Sequence, residues 1–135
     1  MVVSVVEEML RAIQAEQSDV MLRKDFRRVG SPSQVSRGLR SLCAAGTLVR
    51  IGTGLYSKTR LSSVTGQVIP RGSLETLASQ AMERLGIQAQ PSRATQEYNL
   101  GKTTQLPGRL VVNTGRRRIS RVIEVGGRRL LYERG

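Results

Sequence analysis

Small polar and cationic side chains recur along residues 31–45, a segment that is predicted to form a helix. If its apolar stripe faces inward, six side chains are left on the solvent side: Ser33, Gln34, Ser36, Arg37, Arg40 and Ser41. Glutamine can pair with adenine, arginine can pair with guanine, and serine can contact bases or phosphates. The segment therefore has side chains of the types that contact base edges in the major groove of duplex DNA.

The helix that must hold these side chains has clear limits in the sequence. Its apolar residues recur at helical spacing and form one stripe: Val35, Leu39, Leu42 and Ala45. Ser31 is a good N-cap, Pro32 suits the first helical position, and Gln34 completes an S-x-x-Q capping box. Gly46 provides the left-handed residue that commonly ends a helix.

A basic hairpin follows this helix directly. Two strands, over 48–51 and 55–57, are predicted to pair around a glycine-rich turn at 52–54. Arg50 and Thr53 on this hairpin are expected to touch the DNA backbone or the minor groove. A capped helix followed by such a hairpin is typical of the end of a winged helix-turn-helix.

The elements before the helix are predicted to complete a winged helix-turn-helix DNA-binding domain over residues 1–60. Three are predicted: a first helix over 2–14, a short strand over 20–22 and a second helix over 24–29. Arg28 lies at the end of the second helix. Together with Ser31 and Ser33, it is expected to contact phosphates and so position the helix over 31–45 on the DNA.

The balance of charge favours an anionic partner. The 135 residues include 22 Lys and Arg against 10 Asp and Glu, which gives a net charge of +12. No acidic residue lies between Asp25 and Glu75, and this span contains several cations: Arg27, Arg28, Arg37, Arg40, Arg50, Lys58 and Arg60. A surface of one sign is what neutralisation of DNA phosphates requires.

Two other functions are compatible with this composition. One is RNA or ribosome binding, although one Phe and three Tyr are few for stacking single-stranded bases on aromatic rings. The other is a basic module for an acidic protein, in which a winged helix serves protein contacts and its charges are otherwise solvated. The sequence leaves open whether the chain would bind DNA as a monomer or as a dimer.

The sequence argues against catalysis, metal binding and a bound cofactor. It has no histidine and one cysteine, Cys43, so it lacks the commonest general base and any cysteine cluster for zinc. Gly-Lys-Thr at 101–103 is similar to the end of a P-loop, but the first glycine of that motif would fall at Gln96. No apolar run could span a bilayer, and Glu7 and Glu8 interrupt any secretory signal. We therefore predict a cytoplasmic protein that is not an enzyme.

The second half is predicted to be a small α+β subdomain over 61–135, which makes the whole chain α+β. A linker-like segment over 60–72, in which residues 68–69 could form a short extended contact, leads into it. The predicted elements are helices over 73–85 and 92–100, a short strand over 87–89, and strands over 109–114, 118–125 and 128–133. Gly126-Gly127 between the last two strands predicts a hairpin turn.

A second basic cluster lies in this half: Arg116, Arg117, Arg118 and Arg121. Alternation along a strand would place Arg116 and Arg118 on one face and Arg117 on the other. The cluster could form a second phosphate contact that extends the DNA footprint, or a docking face for an acidic partner. It could also be an exposed hairpin that its charge keeps soluble.

The pattern as a whole resembles the winged-helix AbiEi-like antitoxins of bacterial type IV toxin–antitoxin (abortive infection) systems. In the first half the resemblance is carried by Phe26, Gly30, Val35, Ser36, Gly38, Leu39, Leu42, Gly46 and Val49-Arg50-Ile51-Gly52-x-Gly54-Leu55-Tyr56. In the second half it is carried by the helix over 73–85, Gln90-Pro91-Ser92 and Asn99-Leu100-Gly101-x-Thr103-Thr104-Gln105-x-Pro107. Lys102 stands where that family more often has an apolar residue, so a partner that contacts this position is expected to differ.

The resemblance implies a DNA-binding autoregulator that represses its own operon, with the capped helix and the hairpin as the DNA-reading elements. It also implies that the second half serves to neutralise a nucleotidyltransferase-type toxin on a separate chain.

Overall fold

The structure is a computed structural model that describes residues 4–101 and 110–134, and it confirms the predicted α+β class. The first half contains helix α1 (Val5–Ala15), strand β1 (Val20–Leu22), a 3-10 turn (Arg23–Phe26), helix α2 (Pro32–Ala44) and strands β2 (Leu48–Gly52), β3 (Leu55–Leu61) and β4 (Val68–Pro70). The second half contains α3 (Leu74–Leu85), β5 (Gln90–Pro91), α4 (Arg93–Asn99), β6 (Val111–Asn113), β7 (Glu124–Val125), β8 (Arg128–Arg129) and β9 (Leu131–Glu133). No helix within the described ranges has both the length and the apolar character needed to cross a bilayer.

The first helix is confirmed with slightly shifted ends, and the first three residues of the chain lie outside the described ranges. Ser4 is its N-cap, because the Ser4 hydroxyl accepts the backbone N–H of Glu7 at 3.1 Å. Met9 and Ile13 are buried, so one face of α1 packs into the core.

The predicted second helix over 24–29 is wrong, because the chain forms only the 3-10 turn followed by irregular turns. The Asp25 carboxylate accepts the backbone N–H of Leu22 at 2.7 Å and so satisfies a donor at the start of the turn. Phe26 is fully buried and anchors the turn, and the Val29 backbone N–H donates to the Phe26 carbonyl at 3.1 Å. Forming the first turn of an α-helix is costly in conformational entropy. A segment of six residues with Phe26 as its single fully buried side chain gains too little from packing to offset that cost.

Strands β1, β2 and β3 form an antiparallel sheet in the order β1-β3-β2, which confirms the predicted short strand and the hairpin. The segment over 60–72 is not a free linker, because β4 pairs with the end of β3 and places Ile69 opposite Arg60. The extended contact predicted at 68–69 is thus present. The Arg71 backbone N–H continues the pairing by donating to the Lys58 carbonyl at 2.9 Å.

This sheet is covered on both faces. One face packs on α1 and α2 around a first core: Met9, Ile13, Met21, Phe26, Val35, Leu39, Leu42 and Leu48. The other face packs on α3 and the C-terminal segment around a second core: Val20, Leu22, Ile51, Leu55, Leu74, Leu77, Ala78, Ala81, Met82, Ile87, Ile123, Val125 and Leu130. Val20 and Leu22 point away from Met21, as alternate residues of a strand must. The division into domains over 1–60 and 61–135 stays a prediction. The second core contains residues from both of these parts, so the two parts are packed together.

Both helices predicted in the second half are confirmed as α3 and α4. Their N-caps are Ser73 and Ser92, whose hydroxyls accept the backbone N–H of the third residue along at 3.2 and 3.1 Å. Gly86 ends α3 in the left-handed conformation, with φ of 70°, which costs glycine little.

The strands of the second half begin and end differently from the prediction. Residues 87–89 form no strand, and pairing starts three residues after the predicted start, at Gln90 and Pro91 opposite β6. The strand predicted over 109–114 is present as the shorter β6, and Arg109 lies outside the described residues.

The predicted strand over 118–125 is wrong over most of its length, because only β7 at its end pairs. The Gly126-Gly127 turn is confirmed, and β7 and β8 are antiparallel. The strand predicted over 128–133 is interrupted at Leu130, which is buried and donates its backbone N–H to the Ile123 carbonyl at 2.9 Å. After this residue the chain joins β6 in parallel as β9.

Candidate nucleic-acid interface

The outer face of α2 presents the predicted polar side chains to solvent. Ser33, Arg37, Arg40 and Ser41 are all exposed. On the opposite face, Gly38 gives α1 room to approach, because a Cβ atom at this position would lie 2.4 Å from the Met9 sulfur. Packing against α1 therefore determines which face of α2 remains outside.

The first turn of α2 is held by the predicted capping box. The Ser31 hydroxyl accepts the Gln34 backbone N–H at 3.2 Å, and Gln34 Oε1 accepts the Ser31 backbone N–H at 2.8 Å. Both residues are exposed, and Gln34 was also expected to read a base. A contact with adenine through the same amide oxygen would compete with the cap.

Ser36 is only partly exposed, and a residue that the sequence did not single out contacts it. Arg23 of the 3-10 turn donates from Nη2 to the Ser36 hydroxyl and to the Pro32 carbonyl, each at 2.9 Å. Arg23 therefore ties the 3-10 turn to α2 from the side. Arg28 is exposed in the turns between the 3-10 turn and α2 rather than at the end of a helix, and its contact with a phosphate stays a prediction.

The β2–β3 hairpin presents Arg50 and Thr53 at its exposed tip. The Arg50 side chain folds back along the turn, donating from Nε to the Gly52 carbonyl at 3.1 Å and from Nη2 to the Thr53 hydroxyl at 3.4 Å. The pairing register shifts between Arg50 and Gly52, and Gly54 has φ of 69°. A positive φ is strained for residues with a Cβ atom, so this turn favours glycine at position 54.

The C-terminal segment supports this hairpin from behind. Arg121 donates from Nη1 to the Thr53 carbonyl at 2.7 Å, and the Tyr132 hydroxyl donates to the Arg121 carbonyl at 2.7 Å. Burial raises the pKa of the Tyr132 phenol, so this donor keeps its proton. A Cβ atom on Gly52 would lie 2.4 Å from the Val122 carbonyl oxygen, so the two backbones are in close contact. Arg121 is thus a support of the hairpin, a role that the sequence did not reveal.

The rest of the second basic cluster lies beside the hairpin tip. Arg116, Arg117 and Arg118 are exposed. They lie in and just after a turn at 115–116 and form no strand. The prediction that Arg117 alternates with its neighbours across a strand is therefore wrong. The Thr114 hydroxyl donates to the Arg117 carbonyl at 2.7 Å and fixes this turn. Arg117 and Arg118 line the same surface depression as Thr53, which joins the cluster to the hairpin.

Ion pairs are distributed unevenly among the described residues. The arginines that pair with carboxylates all come after residue 70: Arg71, Arg84, Arg93, Arg128 and Arg129. The hydrogen bond from Arg128 lowers the pKa of the Glu75 carboxyl, so that pair is charged at neutral pH. By contrast, several exposed arginines make no ion pair with a described acid: Arg27, Arg28, Arg37, Arg40, Arg60, Arg116, Arg117 and Arg118.

Lys58 differs from the other cations of the acid-free span. It is buried, with 8% of its surface exposed, and its Nζ donates to the Glu16 carbonyl. Lys58 therefore belongs to the interior and adds nothing to the exposed basic surface.

The arrangement described above is an exposed cationic helix face beside a supported hairpin. No curated protein is significantly similar to the chain in sequence. The sequence profile of a family of unknown function matches residues 6–135, which is nearly the whole chain. The chain therefore belongs to this family, DUF6088.

Proposed function

We propose that the chain is a sequence-specific, double-stranded DNA-binding transcriptional repressor, with α2 as its recognition helix and the β2–β3 hairpin as its wing. The observation that carries this proposal is the exposed face of α2, where Arg37 and Arg40 make no ion pair with a described acid. They are three residues apart in a helix and are therefore neighbours on its surface. Guanidinium groups of this kind are suited to guanine edges and to phosphates.

The order of the elements supports a winged helix-turn-helix interpretation. Helix α1, strand β1, the 3-10 turn, α2 and the β2–β3 hairpin follow one another, with the turn in place of the expected second helix. In this arrangement α2 enters the major groove, while Arg50 and Thr53 reach the backbone or the minor groove. Arg28 and Ser33 contact phosphates, and Arg117 beside the hairpin tip extends the footprint. This function involves no catalytic step, metal or cofactor.

We also propose that the protein acts in the bacterial cytoplasm as the autoregulating antitoxin of a toxin–antitoxin operon. The support is the resemblance to AbiEi-like antitoxins, carried in the hairpin by the run from Arg50 to Tyr56. Its second motif, over 103–107, falls outside the described residues. The partner implied is a nucleotidyltransferase-type toxin. Membership of DUF6088 is neutral on this role.

The test is a gel shift of the full chain with the DNA upstream of its own gene, against a scrambled duplex of the same length and base composition. Both are titrated from low to physiological salt, because attraction to phosphates alone weakens steeply as salt rises. A structured RNA of equal charge serves as the third ligand. The expected result is a complex on the native duplex that persists at physiological salt after the other two have dissociated.

Equal loss of binding from both duplexes as salt rises would contradict sequence-specific recognition. A complex that persists on the RNA alone would replace the DNA proposal with RNA binding. The antitoxin role has a separate test, which is rescue of growth when the chain is co-expressed with the product of the neighbouring gene.

A further inference from the structure

A groove of about 650 Å³ lies between the 3-10 turn, the start of α2, the hairpin tip and the C-terminal segment. Its apolar wall includes Leu22, Val35 and Leu85. Leu22 and Val35 are each only 3% exposed and form the floor of the groove, whereas Pro32, which also lines it, is exposed. The volume is within the range of about 300–1,000 Å³ that is common for small-molecule sites.

The charged side chains around this groove are all cations: Arg23, Lys24, Arg27 and Arg121. No acidic side chain of the described ranges lines it. The nearby Asp25 is committed elsewhere, because both its oxygens accept hydrogen bonds from Arg84 at 2.7 to 3.0 Å. The groove therefore presents positive charge that no neighbouring carboxylate neutralises.

Two of these cations are fixed in place before any ligand arrives. Arg23 is held by the Pro32 carbonyl and the Ser36 hydroxyl, and Arg121 is held by the Thr53 carbonyl. A guanidinium has five N–H donors, so each retains donors for an anion. Lys24 and Arg27 are exposed and make no ion pair with a described acid. Fixed donors bind an anion with less loss of side-chain entropy than mobile ones.

We propose that this groove binds a small amphipathic anion, with an apolar body against Pro32 and Leu85 above the floor at Leu22 and Val35, and one carboxylate or phosphate group among the four cations. The apolar wall favours a ligand with an apolar body over a bare inorganic ion. The four cations repel a cationic ligand and give an anion charge-assisted hydrogen bonds that a neutral ligand lacks. Because Pro32 and Gly54 also line the groove, a bound ligand would touch both α2 and the hairpin. The proposal does not depend on DNA binding, since ligand binding itself is the property measured.

The experiment uses 2-naphthoate as the probe and follows backbone amide shifts of the full, ¹⁵N-labelled chain by NMR. Naphthalene-2-carboxamide has the same apolar body without the charge, and inorganic phosphate has charge without the apolar body. The expected result is that 2-naphthoate shifts the amides of Arg23, Gly30 and Gly54, and that the carboxamide binds about tenfold more weakly because it lacks charge-assisted hydrogen bonds.

A double variant tests the cations that are most exposed. Lys24→Gln with Arg27→Gln is expected to raise the Kd for 2-naphthoate about three- to tenfold, the range for two partly solvated ion pairs. Arg93→Gln is the control, because Arg93 is an exposed arginine on α4 that does not line the groove. The unfolding midpoint of each variant shows that the fold is retained.

Three results would overturn the proposal. One is equal binding of 2-naphthoate and the carboxamide, which would mean apolar contact alone. Another is inorganic phosphate binding at these amides as tightly as 2-naphthoate, which would mean a plain anion site. The last is shifts that lie outside the groove or that the Arg93 variant reduces as much as the double variant does.

Discussion

Arg37 lies on the exposed face of α2, at the centre of the proposed DNA contact. Changing Arg37→Ala is expected to weaken binding to the cognate duplex by about 1–3 kcal/mol, because the alanine cannot make a bidentate hydrogen bond to guanine. Binding to a scrambled duplex is expected to weaken less, and fluorescence anisotropy with both duplexes measures the difference. Equal weakening on both duplexes would make Arg37 a phosphate contact, and unchanged binding would remove it from the interface.

Arg93→Ala is the matched control for this measurement. Arg93 is also an exposed arginine in a helix, the first residue of α4, and its Nε lies 3.9 Å from the Glu133 carboxylate. Both variants remove one positive charge from a chain with a net charge of +12, so their long-range attraction to DNA is the same. A difference between them therefore reports local contact.

The ion pair between Arg84 and Asp25 joins α3 to the 3-10 turn. Arg84 donates to both oxygens of Asp25, and the two side chains are only 19% and 17% exposed. Changing Arg84→Met is expected to lower the free energy of unfolding by about 2–3 kcal/mol, because it leaves a partly buried carboxylate without its cation. Urea denaturation measures this change.

Arg71→Met is the control for the Arg84 variant. Arg71 is 49% exposed and lies 3.5 Å from Asp19, so its replacement is expected to cost at most about 1 kcal/mol. Equal costs for the two variants would show that the Asp25 pair is no stronger than a surface pair.

Single side chains were predictable where their partners are local in sequence. The capping box at Ser31 and Gln34 involves residues three apart, and the structure has it as expected. The contacts of Ser36 with Arg23 and of Thr53 with Arg121 span 13 and 68 residues. Such contacts depend on how the elements pack, and no local pattern encodes them.

At the level of elements, the hairpin depends on its close contact with the C-terminal segment. Changing Gly52→Ala is expected to destabilise the fold by about 1–3 kcal/mol, because the new Cβ would meet the Val122 backbone rather than a side chain that can move. Thermal or urea unfolding measures the cost, and amide shifts near Thr53 report displacement of the hairpin.

Gly72→Ala is the control for the Gly52 variant. A Cβ atom at Gly72 would meet Thr76 and Leu77 at 3.4 to 3.5 Å, which is ordinary contact. A change within about 0.5 kcal/mol is therefore expected, as for most surface substitutions. If both glycine variants are equally stable, the approach of Val122 to the hairpin is not tight in solution.

Elements with strong local signals were predicted well, and the others were not. α2 and α3 have an N-cap, a periodic apolar face and a terminal glycine, and both occur where expected. The stretch over 116–123 contains β-branched residues and a turn glycine before it, yet it forms no strand. Its path follows from Ile123 being buried in the second core and Val122 lying against Gly52.

Across the whole molecule, most of the exposed arginines named above that lack described acidic partners lie on α2, just before it, or beside the hairpin tip. Changing Arg116, Arg117 and Arg118 together to Gln is expected to reduce the salt dependence of DNA affinity, by about 0.9 in log-log slope for each phosphate that these arginines no longer neutralise. The preference for the cognate over the scrambled duplex is expected to stay the same. An unchanged slope and affinity would show that this cluster does not touch DNA.

The α+β class and five of the first six elements followed from the sequence, with the 3-10 turn in place of a predicted helix, whereas the way they share a core did not. Periodicity shows that a strand such as β1 has apolar side chains on both faces, but it does not show which element covers each face. α1 and α2 cover one face and α3 the other, which is a long-range outcome of packing.

The sheet covered on both sides limits how the proposed DNA-binding part could be grafted onto another scaffold. A fragment that ended after β3 would expose Leu22, Ile51 and Leu55 to solvent, because α3 and the segment around Ile123 cover them in the full chain. It would also leave the hairpin without Arg121 behind it. The smallest transplantable piece is therefore set by burial and not by the order of motifs, and it reaches nearly to the end of the chain.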